Sequence, residues 1–363
     1  MFVTLCLLLS AWPIFIYGNF LSRMKGGWLL YPIIHKTPQP FSIKATIVVC
    51  ARNESTHIAH LLTALMSQSY INREIIVVDD GSTDNTVEIV HTFAEIILVA
   101  LPESVGKKAA LRKGLEHATG ELIICTDADC VMSNDWIRAL VNCYQIDFPD
   151  MIIGPVRIHH PRASLFQHLQ SIEFMSLAAS TAGSAIIGRP IMCNGANLAF
   201  TKEAWDTSSH ELKDCYASGD DMFLMESIKS RGGKIRYAKF QEAIVTTEPV
   251  QTFSSFFHQR SRWVSKSEAY SDPDIKFVAG LVASVTLLPF LLALIGVFDP
   301  WFFLVSVLSW GIKTGLDYRF LRIFRPFFVI FFPPWQFLLV AVLYPFYIII
   351  SLILGRFRKV IWK

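Results

Sequence analysis

The sequence predicts an α/β domain built on a mostly parallel, doubly wound sheet and held between membrane-spanning helices at its N- and C-terminal sides. Three observations predict it. Residues 45–50, 74–78 and 121–125 are short runs rich in β-branched and aliphatic residues, with helical text between them at 56–66 and 86–93. Strand and helix in alternation form parallel sheets. Apolar residues make up 52% of the chain, too many for an ordinary soluble protein, and they crowd into residues 1–20 and 275–355. The text between these segments has a normal globular mixture, long enough to bury one large core. Finally, each β-branched run leads directly into a polar cluster, the arrangement of a sheet whose carboxyl edge binds a ligand.

The membrane elements follow from length and charge. Residues 1–22 match a retained N-terminal anchor of roughly the ~20 residues a bilayer needs. Arg23 and Lys25 follow it, which places the next domain in the cytosol by the positive-inside rule. A second span is expected at 276–298, where Pro289 is tolerable inside a packed helix. A third is expected at 301–316, with Lys313, Arg319, Arg322 and Arg325 bringing the chain back inside. Residues 327–354 are interrupted by Pro333-Pro334, and a cytosolic tail carrying Arg356, Arg358, Lys359 and Lys363 would require a hairpin or re-entrant segment there. The expected division is an anchor at 1–22, a catalytic domain at 41–250, an interfacial helix at 251–270 and a membrane region at 275–355.

Charge and cysteine content narrow the function. A net charge of +3 excludes a strongly basic nucleic-acid binder, so no nucleic-acid partner is expected. The seven cysteines form no CxxC pair, and Cys50, Cys125 and Cys130 lie in or beside apolar runs. Reduced, buried thiols in a cytosolic domain are the simplest reading.

Three clusters follow the three runs: Ala51-Arg52-Asn53-Glu54, Asp79-Asp80-Gly81-Ser82 and Thr126-Asp127-Ala128-Asp129. A parallel sheet gathers them on one rim. Carboxylates so gathered repel one another unless a cation or a donor-rich ligand sits among them. Asp127 and Asp129 are the metal candidates, since Mg2+ or Mn2+ takes such oxygen ligands and completes its shell with substrate phosphates. A lone DxD is ordinarily a polar turn; its place at a strand end gives it weight. Asp79, Asp80 and Glu54, with the backbone at Ala51, are candidates for the base and ribose of a nucleotide, although Asp79-Asp80-Gly81 in isolation is also an ordinary turn. Gly106-Lys107-Lys108 lacks the upstream glycine and the following Ser or Thr of a phosphate loop. Lys107 is either a nucleotide contact or part of a solvated helix start.

Taken in order, Asp79-Asp80-Gly81-Ser82, Gly106-Lys107, Asp127-Ala128-Asp129, Gly219-Asp220-Asp221 and Gln259-Arg260-Ser261-Arg262-Trp263 resemble the family 2 glycosyltransferases over residues 41–270. The resemblance is to the membrane-integrated branch that contains cellulose, hyaluronan and poly-N-acetylglucosamine synthases. It implies a GT-A fold, a nucleotide-sugar donor (a UDP-sugar by default), a divalent metal and inversion at the anomeric carbon. It also implies a lipid-linked or glycan acceptor and a place in a bilayer, the bacterial inner membrane, with a cytosolic catalytic domain. Asp221, beside Asp220 at a helix start, corresponds to the catalytic base; an N-cap role is compatible with this. Gln259, Arg262 and Trp263 match the QxxRW pattern, with Arg262 on the diphosphate and Trp263 against the acceptor sugar, though Arg and Trp also anchor helices at membrane interfaces. The segment Asn194-Gly195-Ala196-Asn197-Leu198-Ala199 resembles the acceptor-site stretch. Residues 164–187 form either an amphipathic surface helix or a buried one.

Two departures bear on the product. Val264-Ser265-Lys266-Ser267 stands where polymer-forming relatives carry a glycine-rich stretch, and the membrane portion is small. Single transfer is therefore expected ahead of processive, secretion-coupled polysaccharide synthesis. An inactive nucleotide-binding membrane scaffold is the alternative from another class.

Overall fold

The computed structural model describes residues 2–32, 42–160, 162–213, 215, 216 and 218–357, with residues 2–10 and 357 described in backbone only. Met1 of the expected anchor and Arg358, Lys359 and Lys363 of the expected tail lie outside the described residues.

The described residues form nine strands and twelve α-helices. The strands are β1 (Ala45–Ala51), β2 (Arg73–Asp79), β3 (Ile96–Ala100), β4 (Leu122–Asp127), β5 (Met151–Ile153), β6 (Val156–Ile158), β7 (Leu198–Thr201), β8 (Ile235–Tyr237) and β9 (Val245–Thr247). Through the domain run α1 (Phe2–Leu30), α2 (Ile58–Met66), α3 (Thr86–His91), α4 (Lys107–Glu116), α5 (Trp136–Asp147), α6 (Leu165–Ile186), α7 (Lys202–Ser208) and α8 (Asp220–Ser230). The remainder are α9 (Phe253–Val264), α10 (Pro273–Ile295), α11 (Pro300–Phe328) and α12 (Pro334–Phe357).

The main sheet has the order β3-β2-β1-β4-β7-β5-β8, and β6 pairs with β9 in a small second sheet. The three strands expected from the sequence are its centre, β2-β1-β4, all parallel. Every residue of β1 is buried, which is why it reads as unbroken apolar text rather than as an alternation. Ile58, Leu61, Leu62 and Leu65 recur at helical spacing on α2 and are fully buried. The register sets Ala51 beside Asp79 and Cys50 beside Asp127, so the three polar clusters leave the sheet on one rim. Strand β7 breaks the parallel pattern by running antiparallel to both β4 and β5.

Two helices among the described residues are long and apolar enough to cross a bilayer, Pro273–Ile295 and Pro334–Arg356. Helix α11 is not one of them, and it does not stop at 316 as the sequence suggested. It runs on to Phe328, with Arg319, Arg322 and Arg325 inside it, and closes at Val329 in the left-handed region. The break at Pro333-Pro334 is the start of α12 rather than a kink within one helix.

Helix α1 also outruns the expected anchor. Met24 and Trp28 are buried, the Trp28 ring lying tilted 4.5 Å from that of Phe324 and edge-on 5.0 Å from that of Phe327 of α11. The Lys239 ammonium donates to the Trp28 and Tyr31 carbonyls at 2.6 Å each, capping the carboxyl end of the helix. Arg23 and Lys25 are thus inside a helix docked on the domain, not in a loop after an anchor. Helix α6, left open as surface or buried, is buried along much of its length and opens with a capping box between Ser164 and Gln167.

Candidate active site

The rim is held by hydrogen bonds between its loops. Asn53 has a positive φ of 54°; its N–H donates to Ser82 Oγ at 2.9 Å and its Oδ1 accepts from the Thr83 N–H at 2.8 Å. The Glu54 N–H donates to Thr86 Oγ1, and Glu54 Oε2 lies 3.0 Å from His57 Nδ1. Asp80 is completely buried and accepts from Ser104 Oγ at 2.6 Å, the Val105 N–H at 2.7 Å and the Gly106 N–H at 3.1 Å. Its carboxylate therefore builds the loop that leads into α4. Gly81, at φ 66°, is required beside it: a Cβ there would lie 2.8 Å from the backbone at Glu103 and Ser104. Asp79 is also buried, but only one of its oxygens is satisfied, by the Ser82 N–H at 2.9 Å. Its Oδ1 has no hydrogen-bond partner among the described residues, although buried acceptors are nearly always paired.

Lys107 opens α4 and reaches across the rim to Asp127 Oδ1 at 2.6 Å. Burial works against its charge, yet Asp127 and then Asp220 outweigh that and raise its pKa well above the ordinary lysine value. Asp220, at the first turn of α8, has its pKa raised by burial and by Asp221, against the pull of Lys107 and Lys266. The Cys50 thiol beneath is pushed up to about 12 by burial, so it is no nucleophile. Cys50, Cys125, Cys130, Cys143 and Cys193 are free and buried, while Cys215 is exposed.

Asp221 meets this group from the other side. Its Oδ2 accepts from the Gly195 N–H at 3.0 Å and its Oδ1 from the Met222 N–H at 2.8 Å. A Cβ built on Gly195 would sit 3.6 Å from Lys107 Nζ and 3.8 Å from Asp221 Oδ2. The acidic helix start, the rim lysine and the Asn194-Gly195 segment therefore converge on one spot. Asn197, in the same segment, is structural: its amide donates to the Pro155 and Ala243 carbonyls at 2.8 Å and it accepts from Trp136 Nε1.

Asp127 and Asp129 both reach the surface in part, with Ala128 buried between them. Asp129 Oδ2 accepts from Thr247 Oγ1 at 3.1 Å. No three His, Cys, Asp or Glu side chains among the described residues cluster closely enough to hold a metal by themselves. Two partly exposed carboxylates remain compatible with an ion that takes most of its oxygens from substrate and water.

On α9, Arg262 is half-buried and its guanidinium has no partner among the described residues. Gln259 instead accepts from Arg260 at 2.6 Å. Arg260, which the sequence reading passed over, is the buried arginine: it pairs with Glu173 of α6 and packs 4.2 Å from the Trp263 ring centre. Its position, four residues after Phe256 and three before Trp263, puts it on the inward face of α9, a signal available in the sequence. Lys266, in the segment that follows Arg262-Trp263, lies 4.0 Å from Asp221 Oδ1, a contact its sequence position does not signal. Thr247 carried no signal, because only the small β6–β9 sheet brings it to Asp129.

The fold is GT-A. A mannosyltransferase of Pyrobaculum calidifontis, solved with GDP-Man and Mn2+, superposes on 99% of this chain and 100% of its own with a TM-score of 0.62 and 17% identity. Residues 46–204 match the family model described as Glycosyl transferase family 2. This part of the chain is therefore similar to a family 2 glycosyltransferase domain. The chain is 28% identical over 230 residues to the poly-beta-1,6-N-acetyl-D-glucosamine synthase of Staphylococcus aureus, covering 60% of this chain and 53% of that one. The enzyme of the same name from Staphylococcus epidermidis is 29% identical over 174 residues, 45% of this chain and 42% of that one. The chain thus spans about half the length of the curated relatives it matches.

Proposed function

We propose that this chain moves a sugar from a nucleotide-sugar donor, in the first instance a UDP-sugar, to a lipid-linked or glycan acceptor at the cytosolic face of a membrane. The transfer is inverting and metal-dependent. The reading is carried by one observation: Asp221 and the Lys107–Asp127 pair, from separate stretches of chain, come together around Gly195.

The donor's base and ribose lie over Ala51, Glu54 and Asp79, where the unsatisfied Asp79 Oδ1 takes a donor from the nucleotide. Asp80 shapes this pocket by fixing the 104–106 loop. Lys107, whose charge its two aspartates favour, and Arg262 face the diphosphate. Asp221 accepts the proton of an acceptor hydroxyl as its oxygen bonds to the anomeric carbon. The bond from that carbon to the diphosphate breaks, and its electron pair leaves with the nucleoside diphosphate. Trp263 borders the acceptor, and Gln259 steadies α9 through Arg260. Asp129, with Asp127, would hold Mg2+ or Mn2+, which when bound neutralises the leaving diphosphate. The Mn2+ of the Pyrobaculum enzyme supports this assignment. Residues 41–250 then form the transferase domain and 251–270 the interfacial helix. Residues 275–355 are the membrane region that, with the helix at 1–22, holds the protein in a bacterial inner membrane.

A panel of nucleotide sugars, assayed for release of nucleoside diphosphate with Mn2+, with Mg2+ and with chelator, tests the proposal. Turnover of at least one donor that stops in chelator supports it; turnover indifferent to chelator removes the metal. A second reading, processive polysaccharide synthesis, is favoured by the names of the staphylococcal relatives. Sizing the product made from labelled donor separates the two.

A further inference from the structure

A cavity of about 630 Å³ runs from Asp221 into the space between α1, α6, α10, α11 and α12. Its wall beyond Asp221 is largely hydrocarbon, including Leu21, Leu177, Val282, Leu321 and Val340. Sugar hydroxyls moved into such a wall would lose water without gaining partners, whereas an alkyl chain gains by leaving water.

The charged groups on the wall are mostly committed. Glu173 accepts from Arg260 and from Tyr347 Oη, and Lys313 holds Asp317 at 2.8 Å. Lys276 is exposed. Lys266 differs from all of these. It is only 8% exposed, its ammonium makes no hydrogen bond among the described residues, and its nearest carboxylate oxygen, on Asp221, is 4.0 Å away. An ammonium on so enclosed a side chain, with one carboxylate at 4.0 Å, is incompletely satisfied unless an anion in the cavity completes it. That ammonium lines the cavity at its Asp221 end.

We infer that the acceptor is an anionic amphiphile: its hydrocarbon chain occupies the cavity, and a phosphate group at its head sits on Lys266, presenting the attacking oxygen to the anomeric carbon beside Asp221. This rests on the transferase reading above and names its acceptor. The new bond joins that oxygen to the sugar, nucleoside diphosphate leaves with the electron pair, and Asp221 takes the proton where the attacking group is a hydroxyl.

The test uses the full chain in phosphatidylcholine nanodiscs and three probes: a twenty-carbon alkyl phosphate, the matching neutral alcohol and soluble glycerol phosphate. Dissociation constants are measured for each, and for UDP in parallel. The alkyl phosphate is expected to bind at least tenfold tighter than either other probe. Lys266→Gln should bring it down to the alcohol, Lys266→Arg should preserve the difference, and Val282→Trp should weaken both alkyl probes. Equal binding of phosphate and alcohol overturns the headgroup assignment; equal binding of alkyl and glycerol phosphates overturns the cavity assignment. If Lys266→Gln weakens UDP as much as the alkyl phosphate, the lysine serves the donor and the inference is wrong. Intact UDP binding by the unmodified chain in any of these cases leaves the transferase reading standing, while its absence counts against that reading instead.

Discussion

Replacing Asp221 with asparagine tests the proposed chemistry most directly, because the change keeps shape and removes basicity. Asparagine retains one acceptor, so either the Gly195 N–H or the Met222 N–H, bonded at 3.0 and 2.8 Å, loses its partner. The side chain is 18% exposed and water can replace part of that loss, so the stability cost should fall near the low end of the usual range, about 1 kcal/mol. A positioned general base contributes roughly 10²–10⁴ in rate, or about 2.7–5.5 kcal/mol of barrier. Turnover at saturating donor should fall by that factor, while calorimetry with the nucleoside diphosphate should show affinity within about threefold of the unmodified chain, a gap of about 0.7 kcal/mol. The variant should also shift Asp220, since Asp221 is one of the charges that raise it. Turnover within tenfold of the unmodified chain, or a loss of binding as large as the loss of turnover, would remove Asp221 from the base role.

Three further outcomes are expected. Asp129→Ala should lower nucleoside diphosphate affinity by about tenfold or more in Mn2+ and leave it unchanged in chelator, by analogy with the 10–100-fold losses seen when metal surroundings are altered; an affinity in Mn2+ equal to that of the unmodified chain would dismiss the carboxylate as a ligand. Glu173→Gln strands the Arg260 guanidinium in a buried site, side chains 3% and 5% exposed, and should cost about 3–5 kcal/mol of stability, with Glu173→Met/Arg260→Met recovering much of it in thermal melts. Burial alone would raise the Glu74 carboxyl, but bonds from Lys44, Thr46 and Thr119 bring it down to about 2 from 4.5. Because the folded value is the lower one, its contribution of about 3 kcal/mol is present above pH 4.5 and fades as pH falls from there toward 2, and Glu74→Gln should flatten that part of the stability curve.

How far the sequence could be read follows from which faces of each element are covered. The β2-β1-β4 centre was legible because both faces of β1 are buried, which forces continuous apolar text onto it. Edge strand β3 is half-exposed along its length, and β5 and β8 are three residues each, so none carries a periodic signal. The antiparallel insertion of β7 depends on pairing with distant strands and has no local signature. Membrane boundaries misled for a related reason. Arg23, Lys25, Arg319, Arg322 and Arg325 look like loop charges when a helix is judged by hydropathy alone, yet α1 and α11 run on through them: Arg23, Lys25, Arg319 and Arg322 stay exposed while neighbours such as Met24, Trp28, Phe320 and Phe324 are buried.

The site divides in the same way. Residues that run directly off strand ends, Asp79, Asp80 and Asp127, reached the rim as topology demands. Their separate duties were not legible, because hydrogen-bond partners come from elsewhere in the chain: Asp80 is spent on the 104–106 loop, whereas Asp79 keeps an oxygen open. Asp221 could be assigned only through resemblance, since nothing in its spacing shows that α8 will point at Gly195. That contact makes the site a physical unit. Burial disfavours the charge of Lys107, and Asp127 and Asp220 outweigh it, while Asp220 is raised by burial and by Asp221. A substitution at any one of the four therefore changes the electrostatic surroundings of the others, and single-variant losses at this centre should not add.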